Sequence, residues 1–402
     1  MTSRYRLRSY LAGATAARTA DEMSAPALLL LGLAVTGSAR SAALLYAGLT
    51  ISAAAGGLVL GALLDRSDRP GRLLGWALTG YAAGLAVIAV SLGRLPLGAV
   101  AGVAVLAGSL APSLTGGWTS RLPNVLASDR LSRGYALDAA TYSAAVLAGL
   151  VAAAAGPGWA MAAVTILLLL AAPAAWRLPA RPARATLRAR PALRADLRAG
   201  LTAIISARPL LRITLCSVVA YLGVPMLVVA CPLLGQRYLG GAARGALLLS
   251  VLAAASLAAT AALARWPPRL PPDITFVAAT ALAGCAYLAL ALAPRTAWVI
   301  AAVAVAGVAD GPQLAAIFAI RHRETPRRLR GQVFTTAASL KITAGAIGAA
   351  VAGRLAGHSA ALVLTVAAGT QGAALLAFAL ASVPRRPCAR PPLAGPATAG
   401  RG

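Results

Sequence analysis

The stretch that decides the fold is Gly61-Ala-Leu-Leu-Asp65-Arg66-Ser-Asp68-Arg69-Pro70-Gly71-Arg72, together with the apolar runs on either side of it, 42–64 and 73–93. Each run has the roughly 20 apolar residues that carry a helix across a bilayer core. Three arginines lie in the turn between the runs, whereas Arg94 stands alone after the second. Short loops rich in Arg and Lys stay in the cytoplasm. The pair therefore reads as a hairpin of two spanning helices whose connecting turn faces inward.

The same pattern extends outward in both directions. Twelve apolar stretches are expected to span: 10–35, 42–64, 73–93, 95–117, 136–155, 159–176, 210–234, 244–265, 274–293, 296–320, 331–353 and 359–382. Of the 37 Lys and Arg residues, 29 fall in the N-terminal segment, the C-terminal tail and the even-numbered gaps. Six fall in the odd-numbered gaps, and two, Arg18 and Lys341, lie inside spans. An even number of spans with this sorting places both termini in the cytoplasm. The chain reads as a multi-pass, all-α protein of the cytoplasmic membrane.

Composition agrees. Only 12% of residues are charged, against roughly 25% in a soluble domain. The net charge of +27 suggests nucleic acid at first sight. It is spread over loops that would face anionic lipid head groups, and no basic stretch is interleaved with stacking aromatics. The partner expected is the bilayer, with no nucleic acid. Nearly all the cations are Arg, and Ala, Gly and Pro abound, a bias typical of GC-rich bacterial coding. Arg18, Asp21 and Glu22 interrupt the first stretch and argue against a cleaved signal peptide. Cys216, Cys231, Cys285 and Cys388 have no metal spacing and read as packing residues.

The one long gap separates spans six and seven and divides the chain into 1–176, an Arg- and Pro-rich loop over 177–209, and 210–383. A disordered tail is expected over 384–402. Within the loop, 192–205 has helical spacing of polar and apolar residues and is expected to form a surface helix. Arg133-Gly134 and Arg330-Gly331 enter the fifth span of each half at equivalent places, a faint internal repeat. Two related six-helix halves around a central cavity are one of the known repeat architectures of transporters.

The segment 61–72 resembles the loop signature of the major facilitator superfamily, Gly-x-x-x-Asp-Arg followed by Gly and basic residues, in its usual place between spans two and three. The resemblance implies a twelve-helix transporter with Gly61, Asp65, Arg66, Gly71 and Arg72 in a cytoplasmic latch. It also implies that Asp65 meets the start of span eleven, at Arg330 and Gly331. Gly61 would allow close helix approach. The chain departs from the drug–proton antiporter branch in two ways. Span four contains no cation, and Gly156-Pro157-Gly158 falls at the end of span five rather than within it.

Ionisable groups inside spans cost roughly 2.5–3.5 kcal/mol each and point to function. Arg18 is three residues from Asp21 and four from Glu22, so both carboxylates can reach it along one helix face. The cluster reads either as an internally neutralised group or as a site that exchanges a proton or binds a cationic group. Asp310 and Lys341 each lie eleven residues from the nearest cytoplasmic arginine of their span. At 1.5 Å per residue both sit about 16 Å deep, where spans ten and eleven could pair them. Such a pair is either structural or broken during a transport cycle. Asp138, five residues past Arg133, reads as a surface or latch residue. Tyr142, Tyr221, Gln313 and Gln371 read as interhelical hydrogen-bonding groups. His322 and His358 fall in loops without companion ligands, so no metal or other cofactor is expected.

The function expected is secondary active transport by alternating access of a small amphipathic or hydrophobic molecule. Export is the expected direction, with the proton as candidate coupling ion and the monomer as the working unit. The only lysine follows Leu340 rather than a Walker glycine, and no hydrolase signature is present, so an enzyme is not expected. The alternative from another class is a non-transporting sensor or assembly partner that retains the transporter fold.

Overall fold

A computed structural model describes residues 7–153, 157–180, 193–266 and 270–382, and among these every regular element is helical. The chain forms α1 (Leu7–Thr36), α2 (Ala39–Arg66), α3 (Pro70–Ser91), α4 (Leu97–Gly108), α5 (Gly116–Thr119), α6 (Leu131–Ala153) and α7 (Pro157–Trp176). There follow α8 (Leu193–Ser206), α9 (Arg208–Tyr238), α10 (Gly245–Arg265), α11 (Pro272–Ala291), α12 (Thr296–Glu324), α13 (Arg330–Ala356) and α14 (Ala360–Ser382). Ten segments are long and apolar enough to cross a membrane. With α1 and α6, which carry charged residues, they match the twelve expected spans to within a few residues. The expected disordered tail lies outside the described residues, as does 181–192 of the central loop.

Without a hydrophobic drive between helices in lipid, packing relies on small residues that let backbones approach. The buried face of α1 shows this, with Gly13, Ala14, Ala17, Ala20, Ala27 and Gly32 repeating at helical spacing. Helix α1 packs on α6 and α7, α3 on α7, and α2 on α4; on the other side, α9 packs on α13 and α14, and α11 on α12 and α14. Helices α2 and α13, and α6 and α10, join the two groups. Tryptophans mark the two levels where lipid meets water. Trp76, Trp176 and Trp266 are exposed near the Arg-rich ends of their helices, Trp159 and Trp298 near the opposite ends, whereas Trp118 is fully buried.

Span four differs from the single helix expected over 95–117. It breaks after Gly108, passes through a 3-10 turn at Ala111–Ser113 and resumes as the one-turn α5. Pro112 removes a backbone donor, and Gly116 lets α5 close onto α13: a Cβ there would lie 2.7 Å from the Phe334 carbonyl carbon. The surface helix expected over 192–205 is α8. It does not merely lie along the bundle, because it packs against α2, α9 and α13 and buries Ile204 in the core of the second half.

The halves are fused at one end and separate at the other. One core runs through the depth of the first half and, towards the Arg-rich end, takes in Ala315, Phe318 and Phe334 of the second, beside a smaller core of α8 and the second half. At the opposite end a further core is built from α9 to α14 alone. The bundle is closed at its Arg-rich end.

Candidate functional site

The closure is built on α2 and α13. Asp65, at the end of α2, accepts the backbone N–H of Gly331 at 2.8 Å and of Gln332 at 2.7 Å. A carboxylate on the first turn of a helix satisfies donors that have no partner within the helix, and meets the positive end of its dipole. Arg121, just past α5, reaches the same carboxylate at 3.4 Å. Gly331 is required by this geometry, since a Cβ would lie 2.6 Å from Asp65 Oδ1 and 2.8 Å from Arg121. Gly61 packs against Gln332 and Thr335, and Gly71 against Ala175 and Leu178 of the α7 end. Farther along, Ser339 donates to the Ala53 carbonyl at 2.6 Å.

Of the expected latch residues, Gly61, Asp65 and Gly331 therefore meet across the halves. Arg330 turns to the carbonyl of His322 at 3.3 Å, and Arg72 is exposed. Arg66 lies at the end of α2, half-buried. Arg121 was not foreseen, because nothing in an apolar span shows that a break will deliver the arginine after it to Asp65.

An aromatic layer lies inside the latch. His322 is buried within α12, not in a loop, and its Nε2–H donates to the Thr119 carbonyl at 3.0 Å. Its ring stacks on Tyr135 of α6 at 5.1 Å and packs on Phe334 at 4.3 Å. Phe318 joins Phe334 to Tyr142 of α6. The sequence reading missed this layer, because α12 extends to Glu324, beyond the expected end at 320.

The charges of α1 are arranged differently from the expectation. Arg18 is fully buried and forms an ion pair with Asp138 of α6 at 3.0 Å. Arg18 also donates to the Asp138 carbonyl at 2.7 Å, to Thr119 at 2.8 Å and to Thr141. Asp138 accepts from Tyr10 at 2.8 Å and from Thr119 at 2.9 Å. Asp138 is thus neither a surface nor a latch residue. Arg18 takes this distant carboxylate because Asp138 and its hydroxyl neighbours satisfy a buried guanidinium more fully than residues on its own helix.

Asp21 and Glu22 are left facing the space between the halves, Asp21 half-buried and Glu22 exposed. Both lie within electrostatic reach of Lys341 on α13, as does Asp310 on α12. Asp310 and Lys341 are not in ion-pair contact. Helices α12 and α13 scarcely touch, and Asp310 accepts a hydrogen bond from Ser256 of α10 at 3.2 Å. Ser256 in turn meets Ser143 of α6 at 2.8 Å across the seam. The Lys341 ammonium sits on ring faces, 4.2 Å from the Tyr221 centroid and 5.3 Å from that of Tyr142. Tyr221 contributes a ring face where an interhelical hydrogen bond was expected, and Tyr142 adds a ring face to its hydrogen bond with Thr119. Gln313 and Gln371 do make such bonds, to Thr280 and to the Ala220 carbonyl, both at 2.7 Å.

All these groups lie near the middle of their helices, so the site is at half depth and draws on both halves. Among the described residues no cluster suited to a metal is present, and Cys216, Cys231 and Cys285 are free thiols.

The fold is shared widely. A bacterial homologue of the iron transporter ferroportin, solved in an outward-facing state, superposes with a TM-score of 0.76 at 17% identity, over 94% of this chain and 99% of that one. The human organic anion transporter MFSD10 gives 0.72 at 17% identity, over 94% and 100%. The E. coli fucose:proton symporter FucP in its outward conformation gives 0.73 at 14%, over 96% and 100%. No curated protein matches the sequence significantly. Residues 10–349 match the family model of the Major Facilitator Superfamily. With an α2 carboxylate on the first turn of α13 and a charged cluster shared by two helix groups, that match settles the family: the chain belongs to the Major Facilitator Superfamily.

Proposed function

We propose that the chain exports small amphipathic or hydrophobic molecules across the cytoplasmic membrane, with protons as the coupling ion. Secondary transport itself follows from the family and the fold. The finer reading rests on one observation. Three carboxylates and the only lysine stand at half depth between the helix groups, beside a seam held by Ser143, Ser256 and Asp310. Ionisable groups kept at that depth are costly and imply work. In this reading the Arg-rich end is cytoplasmic and both termini lie inside. Residues 1–176 and 210–383 rock as two bodies about the central site, linked by 177–209, and the monomer suffices.

The test is an accumulation and susceptibility assay in an efflux-deficient bacterial host, with a panel of amphipathic compounds. Expression should lower the accumulation of at least one compound, and Asp21→Asn combined with Glu22→Gln should abolish the effect without loss of the protein from the membrane. Accumulation equal to the empty-vector control across the panel, or full activity of the double variant, overturns the proposal.

A further inference from the structure

We propose that Lys341 is a tethered cation occupying the place of a substrate's cationic group, so that the molecules carried are lipophilic cations that displace it. The inference rests on the transporter reading above and specifies the chemistry of its site.

The argument begins with how the ammonium is held. Its closest aromatic partners are ring faces, Tyr221 from the second half and Tyr142 from the first. Among the described residues it forms no ion pair, although Asp21, Glu22 and Asp310 are near enough to feel its charge. Ring faces carry negative quadrupole potential and recognise cations of any shape, including quaternary ones that cannot donate a hydrogen bond. Gly345, one turn along α13 from Lys341, leaves room for the Tyr221 ring, since a Cβ there would lie 3.3 Å from it.

The charges around the cage point the same way. Arg18 lies 3.9 Å from the Tyr142 ring centroid but is fully buried and committed to Asp138. Its charge is balanced first by Asp138, although Asp21 also lies within its electrostatic reach. Asp21, Glu22 and Asp310 face Lys341, with the buried Arg321 as the other cation acting on it besides Arg18, so carboxylates outnumber cations and the site favours a further positive charge over an anion. A lysine suits a displaceable occupant, because its ammonium is a compact point charge on a flexible four-carbon stem.

The test is direct binding of tetraphenylphosphonium to the purified full chain in lipid nanodiscs, with tetraphenylborate as its anionic counterpart. Lys341→Gln should bind the cation about tenfold tighter than wild type, whereas Lys341→Arg should stay near wild type. With Lys341 present, Tyr221→Leu should weaken the cation at least tenfold and Tyr221→Phe should not. The Tyr221 pair decides the matter if Lys341→Gln fails to fold. Unchanged or weaker cation binding by a folded Lys341→Gln overturns the proposal, as does equal binding by Tyr221→Leu and Tyr221→Phe. Tight binding of tetraphenylborate that is lost in Lys341→Gln also overturns it, by making Lys341 an anion ligand. Because binding is read without transport, a chain that binds as stated but moves nothing refutes only the transport reading. A chain that exports compounds but fails these binding tests refutes only this inference.

Discussion

Arg18 and Asp138 form a 3.0 Å ion pair with no exposure of either side chain, and they come from helices 120 residues apart in sequence. Tyr10, Thr119 and Thr141 add hydrogen bonds to the pair, and Arg18 Nε alone is left without a partner among the described residues. Removing one partner of such a pair leaves a buried charge uncompensated and costs about 3–5 kcal/mol, whereas apolar replacement of both can be nearly neutral. Arg18→Met and Asp138→Leu are each expected to lower the thermal unfolding temperature markedly in detergent, and the double variant is expected to recover much of the loss. A double variant less stable than both singles would show that the pair contributes net stability.

Asp65 couples the two helix groups through the first turn of α13. Asp65→Asn removes a charge from a helix N-terminus and weakens two N–H bonds, a loss of about 1–2 kcal/mol. That changes the ratio of open to closed Arg-rich ends by about 5–30-fold. A cysteine at Ser339, which is buried on α13 against Ala53, should then react faster with a membrane-permeant maleimide, in a chain whose native cysteines are replaced. Equal rates in the two backgrounds would remove Asp65 from the latch.

The positions of the spans were legible because apolar length and arginine sorting are properties of short windows. The contact of Asp65 with Gly331 was legible through the resemblance carried by 61–72. What remained hidden is tertiary. The spacing of Arg18, Asp21 and Glu22 suggested a local cluster, but a buried guanidinium needs several acceptors at once, and only Asp138 with its hydroxyl neighbours supplies them. The depths of Asp310 and Lys341 were read from counting residues, yet depth does not give azimuth around a helix. The two face the same space without touching, and Tyr142 and Tyr221 hold the ammonium. Span four reads as one helix from its overall apolar length, although Gly108, Ser109, Pro112 and Ser113 interrupt its alanine and valine run. Its break depends on Pro112 and on the α13 backbone closing against Gly116.

Orientation is checked by reporter fusions. Fusions after Arg72, Arg184 and Arg390 are expected to report cytoplasm, and fusions at Arg94, Gly241 and Gly357 the outside, as the arginine sorting requires. Cytoplasmic signal at any of the last three would overturn the assignment of sides, and with it the identification of the closed end as cytoplasmic.

Helix α8 ties the central segment to the latch through Gln332. The backbone N–H of Gln332 donates to Asp65 at 2.7 Å, and its side-chain Nε2 donates to the Leu197 carbonyl of α8 at 3.0 Å. Gly200 lies directly against the Gln332 amide, so that any Cβ there must displace it. Gly200→Val should therefore push α8 away from α13, disturb the residue that Asp65 caps, and raise the reactivity of the Ser339 cysteine in the same direction as Asp65→Asn. Thr202→Val, at an exposed position on the same helix, should not. Contacts in one network couple, so combining Gly200→Val with Asp65→Asn should give less than the sum of the two effects. Full additivity would mean that α8 and Asp65 act on the closed end independently.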